Sequence, residues 1–210
     1  GYQNTHFVES KPSYMIKARN ADLFIRIGME LEMGWEGLIL EGARYSKIAV
    51  GSTGHLDASE NIEPREAPIG SVDRSMGDIH IMGNPHYWLD PYNGRIIARN
   101  ICNRLKQLDP ANAADYDRNL AAFLLKLDNT MFGEKLVTAI GGERLWQLQM
   151  SGGLDQVLNS QADGQTLSLD GWLAKLKPFE HSRIATYHRS WPYFAHRFNL
   201  DVVAELEPKP

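Results

Sequence analysis

The chain has 210 residues, 43% apolar and 23% charged, with 22 Lys and Arg against 26 Asp and Glu for a net charge of -4. That suffices for one large domain or two small ones, and without a basic run or Lys/Arg stripe the mild acidity argues against nucleic acid as a partner. No stretch approaches the ~18 consecutive apolar residues of a membrane-spanning helix, and one cysteine, Cys102, excludes an internal disulfide.

The first residues, GYQNTHFVES, have neither the charged nor the apolar region of a signal peptide, so an export signal is expected outside this chain. Residues 11–20 (KPSYMIKARN) read as a short helix. Leu23–Ile27 (LFIRI) and Lys47–Val50 (KIAV) read as short strands, and 29–40, with Leu31, Trp35, Leu38 and Ile39 at helical spacing, as the helix between them. Together they make a βαβ unit and favour a parallel sheet.

From Gly51 to Gly83 the periodicity dissolves into a stretch rich in Gly, Pro, Ser and Asp that holds His55 and His80. A segment that long without pattern has a job or moves. It reads as a flexible flap, with both histidines as solvated loop residues, a visit by His80 to a metal during capture as the alternative for that residue, and metal-free and metal-bound forms differing mainly between His55 and Gly83.

In WLDPYNGRIIARNICNRLKQLDP, Asp90 is suited to cap a helix and Pro91 to open it, with Ile97, Ile101, Leu105 and Leu108 as one apolar stripe. Cys102 falls in this pattern as a buried thiol. Asp109-Pro110 opens a second helix striped by Tyr116, Leu120, Phe123, Leu124, Leu127 and Met131 and read as running to about Ile140. At about thirty residues it would be ~45 Å long, enough to span two lobes. Residues 143–170 read as irregular or short-helical, Gly171–Leu176 as a short amphipathic turn, 183–187 (RIATY) as a strand, 190–198 as a helix and 202–206 (VVAEL) as a last strand. The aromatic group Tyr187, Trp191, Tyr193 and Phe194 is expected to pack the second lobe.

Three histidines stand where a strand or loop meets a helix-start signal: His6 in QNTHFVESKPSY, His86 in GNPHYWLDP and His188 in ATYHRSWPYF, roughly 80 and 100 residues apart. Neutral imidazole is a common ligand for zinc and serves other transition metals. Distant histidines carry no local spacing signature, so context must supply the argument. His86 lies four residues before Asp90, behind Pro85, at a stiff point. His188 follows a strand, and in open α/β sheets ligands bind at the carboxyl ends of strands. His6 is the weakest on spacing alone. His181 and His196 read as structural or exposed.

GNPHYWLDP, the Asp-Pro-bounded helix pair, TYHRSWPYFAHRF and the closing ELEPKP resemble, over nearly the whole chain, the metal-binding solute-binding proteins of zinc and manganese ABC importers, the ZnuA-like and AztC-like group; GDIHIMGNPH is similar to the AztC-like subgroup in particular. The resemblance implies an α/β fold of two lobes of parallel sheet flanked by helices and joined by one long backbone helix. It divides the chain into a first lobe over 1–108, a linking helix over 109–140 and the start of a second lobe over 141–210, with an insertion at 143–170. It implies a metal held between the lobes by His6, His86 and His188, with Zn(II) the expected ion and Mn(II) the alternative. Relative to that family the early strands are missing, and the second lobe is expected to stop short at Pro210, before the fourth ligand. The implied function is capture and delivery to the membrane permease of an ABC importer, by a monomeric periplasmic or cell-surface lipoprotein, with a periplasmic metallochaperone as a further partner. No catalysis is implied. The alternatives are a surface adhesin of the same fold, and a zinc hydrolase, which would need a carboxylate base beside the ligands that no HExxH pair supplies.

Overall fold

In the computed structural model, residues 6, 8–68, 80–159 and 167–206 are described. Helix α1 (Pro12–Arg19) opens with Pro12 at its first turn and leads into strand β1 (Phe24–Arg26), helix α2 (Glu36–Ala43) and strand β2 (His55–Asp57). Strands β1 and β2 pair in parallel, Phe24 opposite His55 and Arg26 opposite Asp57. The expected βαβ unit is therefore present, with its elements displaced. Residues 46–48 form a turn of 3₁₀-helix instead of a strand, and the helix begins at Glu36, after a series of turns.

Helix α3 (Pro91–Leu108) starts where its cap and proline place it, Asp90 accepting the Tyr92 N–H at 2.9 Å. Cys102 is buried in it, and burial raises its thiol pKa. The stripe of α3 is half-buried and faces helix α4 (Ala113–Phe132) across an open apolar groove of about 580 Å³ lined by Ile97, Ile101, Leu105, Leu120 and Phe123.

The helix expected to run on to Ile140 is divided. Gly133, at φ +90°, ends α4, and α5 (Glu134–Ile140) continues in a new direction. A Cβ at Gly133 would lie 2.6 Å from Asp170 Cβ, so the break lets the later segment approach. Of the stretch expected to be irregular or short-helical, the short-helical reading holds, in α6 (Gly142–Met150) and α7 (Leu154–Asn159); residues 160–166 lie outside the described ones. Helix α6 buries Leu145, Trp146 and Leu148 in the largest core cluster, with Met131, Phe132, Leu136 and Phe198.

Helix α8 (Gly171–Leu176), strand β3 (Arg183–Thr186), helix α9 (Pro192–Arg197) and strand β4 (Asp201–Glu205) complete the chain, and β3 and β4 are again parallel. The molecule is thus an α/β assembly of two parallel strand pairs clad in helices, with α4 the longest. Two buried arginines flank Trp146. Arg95 pairs with Asp128, which also accepts the Trp146 indole N–H at 2.7 Å, while the Arg197 guanidinium lies 5.6 Å from the ring centre. Arg197 grips Asp90 with two bonds of 2.7 Å, tying the start of α3 to α9.

Candidate metal centre

His86 owes its position to the neighbouring Tyr87. That tyrosine is fully buried, and its hydroxyl donates to the Ile27 carbonyl at 2.6 Å, beyond the end of β1. Its ring meets Tyr193 edge-on at 6.5 Å, and both pack with Met29 and Ile62. The segment carrying His86 is thereby fixed to β1 on one side and α9 on the other. Burial holds the Tyr87 phenol pKa above its ordinary value, keeping it a neutral donor.

His86 is buried, 8% exposed as a residue. Its Nδ1 lies 3.0 Å from Asn84 Oδ1, and the same oxygen accepts the His86 backbone N–H at 3.0 Å. The orientation of that amide follows from its other end, where Nδ2 donates to the Arg189 carbonyl at 2.7 Å and to Glu66 Oε2 at 3.0 Å. With an acceptor facing Nδ1, the proton belongs there, and Nε2 carries the lone pair that a metal needs.

His188 lies two residues beyond the end of β3 and is half-buried. The next residue, Arg189, donates from Nε to Glu66 at 2.9 Å. His6 sits in a turn, also half-buried. The three rings converge, with centroids 4.9 Å apart for His86 and His188, 5.6 Å for His6 and His86, and 5.7 Å for His6 and His188. One nitrogen from each lies within 4.8 Å of the others, and among the described residues no other set of three or more His, Cys, Asp or Glu groups so closely. Zinc–nitrogen bonds of about 2.1 Å in a tetrahedron would put the nitrogens ~3.4 Å apart, so rotations of about an ångström close the set on one ion.

The other histidines divide. His181 and His196 are exposed, as expected. His55 is not a solvated loop residue: it is 7% exposed, begins β2, stacks on Phe24 at 5.7 Å and lies 2.7 Å from Glu36 through Nε2. Glu36 also binds Arg26, which binds Asp57, so His55 belongs to a polar network bracing the first sheet. His80 is likewise not simply solvated, since its ring stacks on His6 at 5.3 Å. Of the flap expected over 51–83, residues 69–79 lie outside the described ones, while 55–57 form a strand. The aromatic group splits as well. Tyr193 packs with Tyr87 and Met29 from the first half of the chain, Phe194 joins the core around Trp146, and Tyr187 is 67% exposed.

Parallel strand pairs with an imidazole cluster at the end of a strand make an α/β protein with a candidate metal centre, and comparison with known proteins gives the particular family. Residues 2–131 match the family described as "ZnuA: Zinc-uptake complex component A periplasmic", and the chain belongs to it. Among curated relatives it is 32% identical over 128 residues to the "Metal ABC transporter substrate-binding lipoprotein ScbA" of Streptococcus cristatus, covering 60% of this chain and 38% of that one. It is 30% identical over 149 residues to the "Iron-binding protein YfeA" of Yersinia pestis, covering 70% and 43%. The matched part of the chain therefore spans about two fifths of the length of these relatives. Among solved structures, a ZnuA deletion mutant with zinc bound matches 98% of this chain and 60% of its own at a TM-score of 0.58 and 24% identity. The lipoprotein YcdH of Bacillus subtilis matches 96% and 55% at 0.60 and 19%. At those identities the likeness is one of fold.

Proposed function

We propose that this chain is the metal-capturing part of an extracytoplasmic solute-binding protein, which holds Zn(II), with Mn(II) the alternative, between His6, His86 and His188 and delivers it to an ABC importer permease. The observation that carries the reading is the convergence of those three rings from distant parts of the sequence. The family and its zinc- and manganese-named relatives support it. In this reading the residues up to 108 form one lobe, 109–140 the link and 141–210 the start of the other, the protein is a periplasmic or cell-surface monomer, and a periplasmic metallochaperone is a further partner. Three neutral imidazoles with one oxygen donor close a tetrahedral shell and leave no position for activating water, so the chemistry is binding and release.

The test is zinc titration of the chain against a competing chelator at several pH values. One ion per chain is expected. Because each imidazole must be deprotonated to bind, affinity holds above the ordinary histidine range near ~6.5 and falls steeply as pH drops through it. Affinity unchanged between pH 7.5 and 5 would refute an imidazole site.

Asn84 supplies a second expectation. Asn84→Ala removes the acceptor on His86 Nδ1 and the tie to the Arg189 carbonyl, and is expected to weaken zinc binding about 10- to 100-fold. Asn84→Asp keeps an acceptor toward Nδ1 and should recover much of the loss. Equal affinity for wild type and Asn84→Ala in chelator competition would show that His86 needs no such support.

A further inference from the structure

We propose, resting on the metal-binding reading above, that Glu66 is a positioning residue of the metal centre, which presents the rings of His86 and His188 together by acting through Asn84 and Arg189. One of its oxygens, Oε2, accepts from Asn84 Nδ2 at 3.0 Å and from Arg189 Nε at 2.9 Å. Asn84 holds the His86 ring through Nδ1, and Arg189 directly follows His188.

The Arg189 carbonyl accepts from the same Asn84 nitrogen at 2.7 Å, so Glu66, Asn84 and Arg189 close a ring of three hydrogen bonds. The two protons of that amide meet two groups that only accept, a carboxylate and a backbone carbonyl, and turning the amide over would set oxygen against oxygen. Its Oδ1 therefore stays on His86 Nδ1. Without Glu66 the amide keeps one acceptor, and the Arg189 side chain loses the bond that sets its direction. Glu205 cannot replace it: at 3.8 Å from the same Nε it is beyond hydrogen-bond reach.

The backbone is held where it would not rest by itself. Glu66 has φ +55°, in the left-handed region that residues with a Cβ rarely adopt. Two bonds at Arg65 hold the chain there: its N–H donates to the hydroxyl of the buried Tyr193 at 2.9 Å, and its carbonyl accepts the Asn84 N–H at 2.8 Å. Such conformations persist only where the surroundings over-determine them, and they gather at functional sites. Here the outcome is a carboxylate aimed at both histidine-bearing segments. The Arg189 and Glu66 side chains are 37% and 30% exposed, so their ion pair adds little to stability and its effect falls on the site.

The experiment measures zinc affinity by chelator competition, and Tm, for the chain and its Glu66→Ala, Glu66→Gly, Glu66→Gln and His86→Ala variants, and for Glu66→Ala combined with Asn84→Ala. Glu66→Ala, and Glu66→Gly although it relaxes the backbone, should each lose about 10-fold in affinity, the lower end for removal of an outer partner, with Tm within about 4 °C of the wild type. Glu66→Gln keeps an oxygen that can accept both bonds and should recover most of the loss. In the Asn84→Ala background, Glu66→Ala should cost less than it does alone, since part of its effect runs through that amide. Unchanged affinity in Glu66→Ala or Glu66→Gly, no recovery in Glu66→Gln, an undiminished loss in the double variant, or a Tm that falls in step with affinity overturns the proposal. If His86→Ala loses zinc while the Glu66 variants keep it, only the role of Glu66 falls; if His86→Ala also keeps it, the three-histidine reading falls too.

Discussion

Replacing His86 with alanine is expected to lower zinc affinity by more than ~100-fold, beyond the range that removal of an outer partner produces. His86 is the most deeply buried of the three clustered histidines, its Nδ1 is committed to Asn84, and its ring contacts both His6 and His188. No neighbour can take its place without moving the turn that Tyr87 pins to Ile27. His6→Ala should also be severe, although its half-buried turn allows a water to enter the vacated position. His181→Ala and His196→Ala, both at exposed sites, are the controls and should bind zinc as the wild type does. Chelator competition on the five proteins reads this directly, and a His86→Ala chain that binds like the controls would remove His86 from the site.

Asp90→Ala is expected to be the most damaging single change to stability. Asp90 caps α3 through the Tyr92 N–H and takes both ends of the Arg197 guanidinium, with the two side chains only 5% and 8% exposed. Removing it leaves a buried cation facing Tyr92 and Trp146, with Gln149 as its remaining side-chain hydrogen-bond partner. Breaking such a pair costs about 3–5 kcal/mol, and loss of the cap adds about 1 kcal/mol. In a chain of this size that lowers Tm by on the order of 10 °C. Asp90→Asn keeps the cap and should fall between. Because Asp90 follows His86 by four residues and Arg197 follows His188 by nine, the pair also couples the two segments that bear these rings. Thermal unfolding of the two variants checks the prediction, and a shift of only a degree or two for Asp90→Ala would mean that the pair is weakly coupled to the fold.

The parts of this structure legible in the sequence are those whose signals are local. Asp90-Pro91 marks the start of α3, and the runs FIR and RIAT mark two strands that need only a neighbour to pair with. The parts that were not legible depend on distant partners. His55-Leu56-Asp57 is three residues long and without alternation, and it becomes a strand because β1 lies beside it and Glu36 receives its histidine. KIAV is apolar enough to be read as a strand but is taken up by a 3₁₀ turn that buries Ile48 against α2. The apolar spacing of α4 continues past Gly133, and only the close approach of Asp170 requires the break there. For α6 the glycine and glutamines left irregular and short-helical readings both open, although Leu145 and Trp146 are among the most buried side chains described. For the site, the positions of His86 and His188 followed from cap and strand-end signals, whereas His6 was supported only by family resemblance. Asn84 was not foreseen beside His86, since an amide two residues before a histidine has no distinctive pattern, and the stacking of His80 on His6 spans more than seventy residues, beyond the reach of local signals.

The most direct test of the central claim is a crystal structure of the zinc-loaded chain with anomalous difference density recorded at the zinc edge. One peak is expected, within about 2.0–2.1 Å of a ring nitrogen from each of His6, His86 and His188. A peak bound elsewhere, or zinc divided among separate sites with those three rings left at their present spacing, would contradict it.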